Sequence, residues 1–181
     1  AKRLGAIVEA TDVRMETKEQ AESLGAKFIT VEGDGVATAG GYATEVSAEY
    51  LTKQKEAVNK SLAMADLVIT TALVQGKKAP VLITKEQVAM MKMGAVIVDM
   101  AVEQGGNCEL SEPAKTVIQN GVRIVGPMNL PASVANNASE LYARNVVTFL
   151  THIATKEGFS FNMEDEIVSG TLIIKEGNVL V

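Results

Sequence analysis

The stretch AKRLGAIVEATDVR, residues 1–14, combines the end of a helix with a strand, and the rest of the chain follows the same alternation. Lys2 and Arg3 followed by Gly5 are typical of a last helical turn, because cations favour helix C-termini and glycine readily adopts the left-handed cap. The apolar run over residues 6–10 then predicts a strand that stops just before Asp12.

Asp12 occupies a position where a carboxylate has a known use. In dinucleotide-binding folds an acidic residue at a strand end accepts hydrogen bonds from the adenosine ribose, and a glycine-rich phosphate turn lies roughly 20 residues earlier. We therefore expect the first strand, the glycine turn and most of the first helix to lie upstream of residue 1. Arg14 complicates the assignment, since a nearby arginine accommodates the 2′-phosphate of NADP. Because the carboxylate occupies the strand end itself, the sequence favours NAD, with a simple turn aspartate as the alternative.

Short β-branched runs alternate with helical patterns along the whole chain. We predict strands at residues 6–10, 27–31, 67–71, 95–99 and 122–125. Strands separated by helices indicate a parallel sheet with crossover connections. With one upstream strand they would complete a doubly wound, six-stranded sheet of the Rossmann type, so the predicted fold class is α/β. Its active edge would collect the loops that follow the strands.

Local signals predict where helices begin and end. Two pairs fit capping boxes and two glycines fit helix ends: Thr17 with Gln20, Thr84 with Gln87, Gly25 and Gly94. Longer helices are expected over residues 47–65 and after Pro131, and a hairpin in the tail 167–181. Residues 1–130 would then form the dinucleotide-binding portion. Residues 131–181 would form a long helix and a terminal hairpin that pack on the same or an adjoining domain.

Composition excludes several classes of function. The 181 residues suit one domain of fair size, and a net charge of −5 disfavours nucleic acid and anionic membranes as partners. No apolar stretch reaches the roughly 18 residues that a membrane-spanning helix needs, so direct membrane insertion is not expected. A single cysteine excludes an internal disulfide framework, and the few His and Cys residues exclude an ordinary zinc site.

Few side chains qualify as catalytic groups. His152, the only histidine, falls late in a predicted helix and away from the active edge, so a helix-end role is favoured over a general base. Cys108 lies in an edge loop but has no histidine partner, which favours a packed or half-exposed thiol over a nucleophile. Asp99 ends a strand and is either a site residue or a cap for local amides. The glycine-rich loop at residues 33–42 is either a disordered surface loop or a flap whose Tyr42 closes over a bound cofactor.

Six sequence blocks in order resemble the first domain of proton-translocating nicotinamide nucleotide transhydrogenases, in the alanine dehydrogenase/transhydrogenase family. The blocks are TDVR (11–14), GGYA (40–43), ITTAL (69–73), KAP (78–80), VD (98–99) with GGNC (105–108), and NLP (129–131). They cover nearly the whole chain and are more specific than an isolated glycine motif. The ITTAL and GGY segments favour transhydrogenase over alanine dehydrogenase.

The resemblance implies hydride transfer between NAD(H) on this chain and NADP(H) on a partner domain, coupled to proton passage through a membrane domain. By matching position, Asp12, Val13 and Arg14 would hold the adenosine end, and Gly41 and Tyr42 would belong to the mobile loop. Ala72 and Leu73 would form the wall beside the nicotinamide, with Asn129 on the same edge. The resemblance also implies a homodimer at the cytoplasmic face of a bacterial inner membrane or on the mitochondrial matrix side. Such hydride transfer needs close approach and dry surroundings rather than a general base.

Two alternatives remain open at this stage. One is an alanine dehydrogenase, whose catalytic lysine and histidine would lie upstream of this chain. The other is a dinucleotide-binding module without catalysis.

Overall fold

The computed structural model describes residues 1–14, 16–30 and 48–179, with side chains from residue 52 onward in the last range. The chain divides into two compact units, Ala1–Met128 and Asn129–Val181. None of the helices in the described ranges has the length and apolar character that a bilayer crossing requires.

The first unit alternates strands and helices. In chain order its elements are a 3₁₀ turn at Lys2–Leu4, β1 (Glu9–Ala10), α1 (Glu16–Ser23), β2 (Lys27–Phe28), α2 (Ala48–Met64), β3 (Leu67–Thr70), α3 (Lys85–Ala89), β4 (Val96–Asp99), a 3₁₀ turn at Val102–Gln104, β5 (Thr116–Gln119) and β6 (Val122–Val125). The opening turn ends at Gly5 with φ 86°, so the predicted helical turn and its left-handed glycine cap are confirmed.

All five predicted strands are present, although β1 and β2 are shorter than expected. They divide between two ladders: β1 pairs with β2, and β3, β4, β6 and β5 form a second sheet in that order. The pairs β1–β2, β3–β4 and β4–β6 are parallel, which confirms the α/β class with a parallel sheet. The strand expected upstream of residue 1 is not among these residues, so a joined six-stranded sheet stays a prediction.

An edge strand that was not predicted from the sequence completes the larger sheet. β5 runs antiparallel to β6, with Gln119 opposite Val122. The two residues between them, Asn120 and Gly121, both have positive φ, 51° and 76°. A two-residue turn of this kind matches the right-handed twist of the strands it joins. The parallel sheet therefore ends in a hairpin.

The core lies on one face of this four-stranded sheet. Ile97 and Ile124 are completely buried there, in a cluster with Leu62 of α2 and Val88 of α3. Burying an aliphatic side chain of this size contributes about 1.5–3 kcal/mol to stability. Because this core packs against the strands, their carboxyl ends are fixed in place. The loops that follow the strands therefore start from fixed positions.

The helix-boundary predictions hold in part. Thr84 and Gln87 form the predicted capping box at the start of α3. Gly25 follows α1 with φ 82° and donates its N–H to the Glu22 carbonyl, as expected of a helix end. The longer helix α2 agrees with the predicted range 47–65.

Two boundary predictions are wrong. Thr17 lies inside α1 rather than before it, and its hydroxyl donates to the Arg14 carbonyl at 2.6 Å, so it does not cap Gln20. Gly94 does not end α3, because that helix stops at Ala89 with Met90 as its cap. Gly94, with φ 86°, instead forms the turn that leads into β4.

The second unit is a long helix followed by short elements. They are α4 (Leu130–Ser133), α5 (Ala135–Ile153), β7 (Ala154–Thr155), β8 (Gly158–Phe159), α6 (Glu166–Thr171), β9 (Ile174–Lys175) and β10 (Asn178–Val179). Pro131 lies in α4, and the expected long helix begins at Ala135 as α5. The terminal hairpin β9–β10 is confirmed, but the preceding segment forms α6 because the Asp165 carboxylate accepts two N–H groups at its first turn.

Candidate functional site

Asp12 lies two residues beyond β1 and holds Arg14 in a tight local pair. Its Oδ1 accepts the Arg14 backbone N–H at 2.8 Å and the Arg14 Nε–H at 3.1 Å, while Oδ2 accepts from an Arg14 terminal nitrogen at 3.1 Å. The Asp12 side chain keeps 32% of its surface exposed. Hydrogen bonding from the Arg14 guanidinium lowers the pKa of Asp12 below its usual value, so the carboxylate is ionised at neutral pH.

This pairing bears on the choice between the two cofactors. A carboxylate with solvent-facing oxygens can accept hydrogen bonds from ribose hydroxyls. The Arg14 guanidinium, which would otherwise favour a 2′-phosphate, is bound to Asp12 on two nitrogens. The neighbouring Val13 side chain is exposed.

Asp99, at the end of β4, is completely buried and has a different set of partners. Its Oδ1 accepts the Ala101 N–H at 3.0 Å, and its Oδ2 accepts the N–H groups of Asn107 and Cys108 at 2.8 and 2.9 Å. Burial by itself would raise the pKa of Asp99, but these backbone donors together with the Ser111 side chain outweigh it, and the pKa lies below its usual value. Asp99 thus closes the loop after β4, which agrees with the capping alternative.

Asn107 ties this loop to the one after β3. Its side-chain Oδ1 accepts the Ala72 N–H at 2.9 Å, and its Nδ2 donates to the carbonyls of Ala72 and Pro80 at 2.9 and 2.8 Å. Like Asp99, Asn107 is completely buried. Leu73, the next residue after Ala72, leaves about half of its side chain exposed. The two loops at the carboxyl end of β3 and β4 therefore form one hydrogen-bonded unit.

Asn107 belongs to the GGNC block, but the sequence alone gave it no role. The signal that could have found it is the preceding Gly105–Gly106 pair, whose φ angles are 102° and 79°. A side chain at Gly106 would place its Cβ 2.9 Å from the Asp99 Oδ2, and one at Gly105 would place it 2.6 Å from the stem of Lys78. Two adjacent glycines in the loop after a strand indicate such a close approach of the backbone to buried groups.

The other predicted site residues are distributed as follows. Asp12, Val13 and Arg14 follow β1, and Ala72 and Leu73 follow β3 in the second ladder. Gly41 and Tyr42 lie outside the described residues, and so does the loop at 33–42. Asn129 belongs to the second unit, where it precedes α4 with a left-handed backbone, φ 48°.

The two reactive side-chain types are used structurally. His152 lies near the end of α5, as predicted, with its Nε2 2.8 Å from an oxygen of Asp165. Cys108 is buried, and burial raises the pKa of its thiol, which agrees with the packed-thiol interpretation. Within the described ranges, no three His, Cys, Asp or Glu side chains gather as a metal site would require.

The parallel pairs β1–β2, β3–β4 and β4–β6, in a chain that alternates strands with helices, define a Rossmann-like α/β domain. The chain belongs to the family described as alanine dehydrogenase/PNT, C-terminal domain, whose model matches residues 1–181. This confirms the family that the sequence blocks indicated.

Among its relatives, an NAD(P) transhydrogenase alpha subunit chain of Rhodospirillum rubrum is 55% identical, over 99% of this chain and 48% of that protein. The crystal structure of transhydrogenase from Sinorhizobium meliloti matches with a TM-score of 0.78 and 47% identity, over 99% of this chain and 47% of that one. An alanine dehydrogenase from Halomonas elongata is 30% identical over 68% of this chain and 34% of that protein. The chain spans about half the length of the transhydrogenase relatives it matches.

Proposed function

We propose that this chain is the NAD(H)-binding part of a proton-translocating NAD(P) transhydrogenase alpha subunit. Support comes from the 55% identity to a transhydrogenase chain, against 30% identity to the alanine dehydrogenase of Halomonas elongata. The observation that carries nucleotide binding is Asp12, an ionised and partly exposed carboxylate beyond a parallel strand. Residues 1–130 are the nucleotide-binding portion in this proposal, and residues 131–181 pack on the same or an adjoining domain.

The residues act by binding and orienting rather than by acid–base chemistry. Asp12 accepts the ribose hydroxyls, with Val13 and Arg14 beside the adenosine. Ala72 and Leu73 line the nicotinamide side, where the half-exposed Leu73 excludes water. By resemblance to the family, Gly41, Tyr42 and Asn129 are further cofactor-binding residues in this proposal. A bound nicotinamide would supply or accept the hydride, and hydride transfer between two nicotinamides would need their close approach rather than a general base.

The remaining components are supplied by other parts of the assembly. NADP(H) is bound on a partner domain, and a membrane domain couples hydride transfer to proton passage. The assembly is a homodimer with this part at the cytoplasmic face of a bacterial inner membrane, or on the matrix side in mitochondria.

The test is Asp12→Asn in the complete protein. Loss of a charge-assisted hydrogen bond should weaken NADH binding by about 1–3 kcal/mol. Because Arg14 is then no longer paired with Asp12, the difference between the affinities for NADH and NADPH should become smaller. The measurement is fluorescence titration with both cofactors. Asp66→Asn is the matched control, because Asp66 is also an exposed aspartate paired with a cation, Lys92 at 3.0 Å, but lies before β3. Equal affinities in all three proteins would remove Asp12 from the site.

Alanine dehydrogenase remains the second candidate, since the family description includes both activities. Incubating the complete protein with NADH, pyruvate and ammonia should give no NADH oxidation, whereas adding an NADP analogue and the partner domain should. Oxidation dependent on pyruvate and ammonia would favour the dehydrogenase. Cofactor binding without either reaction would favour a non-catalytic module.

A further inference from the structure

Asn107 fixes the segment proposed to face the nicotinamide. Both backbone polar groups of Ala72 bond to its side chain: the N–H donates to Oδ1 at 2.9 Å, and the carbonyl accepts from Nδ2 at 2.9 Å. The second Nδ2 hydrogen goes to the Pro80 carbonyl at 2.8 Å, further along the same loop. One buried amide therefore holds two separate points of the loop after β3.

Asn107 is itself held rigidly through its backbone. Its N–H donates to the Asp99 carboxylate at 2.8 Å, and its carbonyl accepts the N–H groups of Leu82 and Ile83 at 2.7 and 3.0 Å. Asp99 ends β4 in the middle of the parallel ladder, with Thr70 as its register partner. Ala72 is thus anchored to the sheet by a chain of hydrogen bonds, first to Asn107 and then from Asn107 to Asp99 at the end of β4.

The pattern of donors and acceptors requires an amide at this position. Asn107 meets one N–H and two carbonyls, which match its one oxygen acceptor and two N–H donors. An aspartate of nearly the same shape would place an anionic oxygen against two carbonyl oxygens. It would also add a second negative charge next to the buried Asp99.

We propose that Asn107 is a positioning residue for hydride transfer, which holds the Ala72–Leu73 wall where the nicotinamide must be aligned. The inference rests on the proposed function. Asp12 secures the opposite, adenosine end of the cofactor, so a fault at Asn107 misaligns the reacting end while most of the binding contacts survive. A misplacement of about 1 Å at a reacting centre lowers the rate by about 100-fold.

The test uses the complete protein assembled with its NADP-binding partner, and compares Asn107→Asp with Asn107→Ser. Asn107→Ser removes the three side-chain hydrogen bonds without adding a charge. If Asn107→Asp does not fold, Asn107→Ser alone is used to test the inference. In both variants, kcat for reduction of an NADP analogue should fall by about 10- to 100-fold, while KM for NADH stays within about threefold.

Asn59→Asp is the matched control. Asn59 is an amide in the same unit whose Oδ1 accepts from Gln87 Nε2 at 2.7 Å, and it joins α2 to α3 rather than the strand-end loops. Its substitution should leave kcat within about twofold of the wild type. An equal fall in kcat for Asn59→Asp, an unchanged kcat in the Asn107 variants, or a rise in KM alone would overturn the inference. A wild-type protein that binds NADH without transferring hydride would instead overturn the proposed function, and the inference with it.

Discussion

Asp12 and Asp99 are the same residue type at similar positions, just beyond or at the end of a parallel strand, yet the fold uses them in opposite ways. Asp99 is completely buried, and its oxygens accept three backbone N–H groups. Asp12 keeps about a third of its side chain exposed, and its strongest partner is the exposed Arg14 side chain. The comparison teaches that a strand-end carboxylate is available to a ligand only where the local backbone leaves acceptor capacity unused.

The largest expected effect is on stability at the Asp99 end. Asp99→Ala would leave three buried N–H groups without an acceptor and should lower the free energy of unfolding by about 3 kcal/mol or more. Asp12→Ala removes an exposed pair and should cost less than about 1 kcal/mol. Urea unfolding of the complete protein measures both. Equal losses would mean that the two carboxylates do not differ as described.

A smaller effect is expected from Gly106→Ala. Gly106 has φ 79°, and an added Cβ would lie 2.9 Å from the Asp99 Oδ2, so both backbone strain and a collision oppose the substitution. Gly5→Ala is the control, because Gly5 has φ 86° but no atom within 4 Å of its would-be Cβ. Backbone strain alone costs about 1 kcal/mol, and we expect about 2 kcal/mol at Gly106. Indistinguishable melting curves for the two variants would show that the Asp99 carboxylate moves away from the added Cβ without a measurable loss of stability.

The smallest effect is a response to salt. The pKa of Asp12 is lowered chiefly by the exposed Arg14, whereas that of Asp99 is lowered, against the effect of burial, by backbone N–H groups and the Ser111 side chain. Raising the salt concentration to about 0.5 M should move the pKa of Asp12 back toward its ordinary value and leave that of Asp99 unchanged. Carboxyl carbon NMR titration at two salt concentrations reads both groups. A salt-dependent Asp99 would contradict its burial.

The same comparison fixes the direction of acid sensitivity. A carboxyl whose pKa is lowered on folding stabilises the protein above its ordinary pKa, and that contribution is lost as the pH falls through the folded-state value. Wild type should therefore lose stability as the pH falls below about 4, and Asp99→Asn should lose less over that range. Parallel acid unfolding curves for the two proteins would show that Asp99 does not contribute to this loss.

Strand positions and the family were predictable from the sequence, because β-branched runs and the ordered motif blocks are local signals. The edge strand β5 was missed although its Asn120–Gly121 turn is a strong hairpin signal. A pattern of parallel strands joined by helices does not by itself predict an antiparallel partner such as β5. Thr17 was misplaced for a related reason, since a capping pattern in sequence does not show where the helix begins.

The candidate site was predictable only in part. The sequence position after a strand predicts a binding role for Asp12, and the family resemblance predicts one for Ala72 and Leu73. These roles stay predictions. The role of Asn107 depends on contacts with Ala72 and Pro80, which are 35 and 27 residues away in sequence. No local pattern reports a contact at that separation, so it required the fold.

Cys108 is a natural probe of how often the loop after β4 opens. Its thiol is buried with a raised pKa, and its N–H is one of the groups that Asp99 holds. A thiol-modifying reagent can therefore reach the sulfur only while this loop is open. The labelling rate of Cys108 thus depends on how often the loop opens. The frequency with which the loop after β4 opens in solution can thus be measured at an atom that the chain already carries.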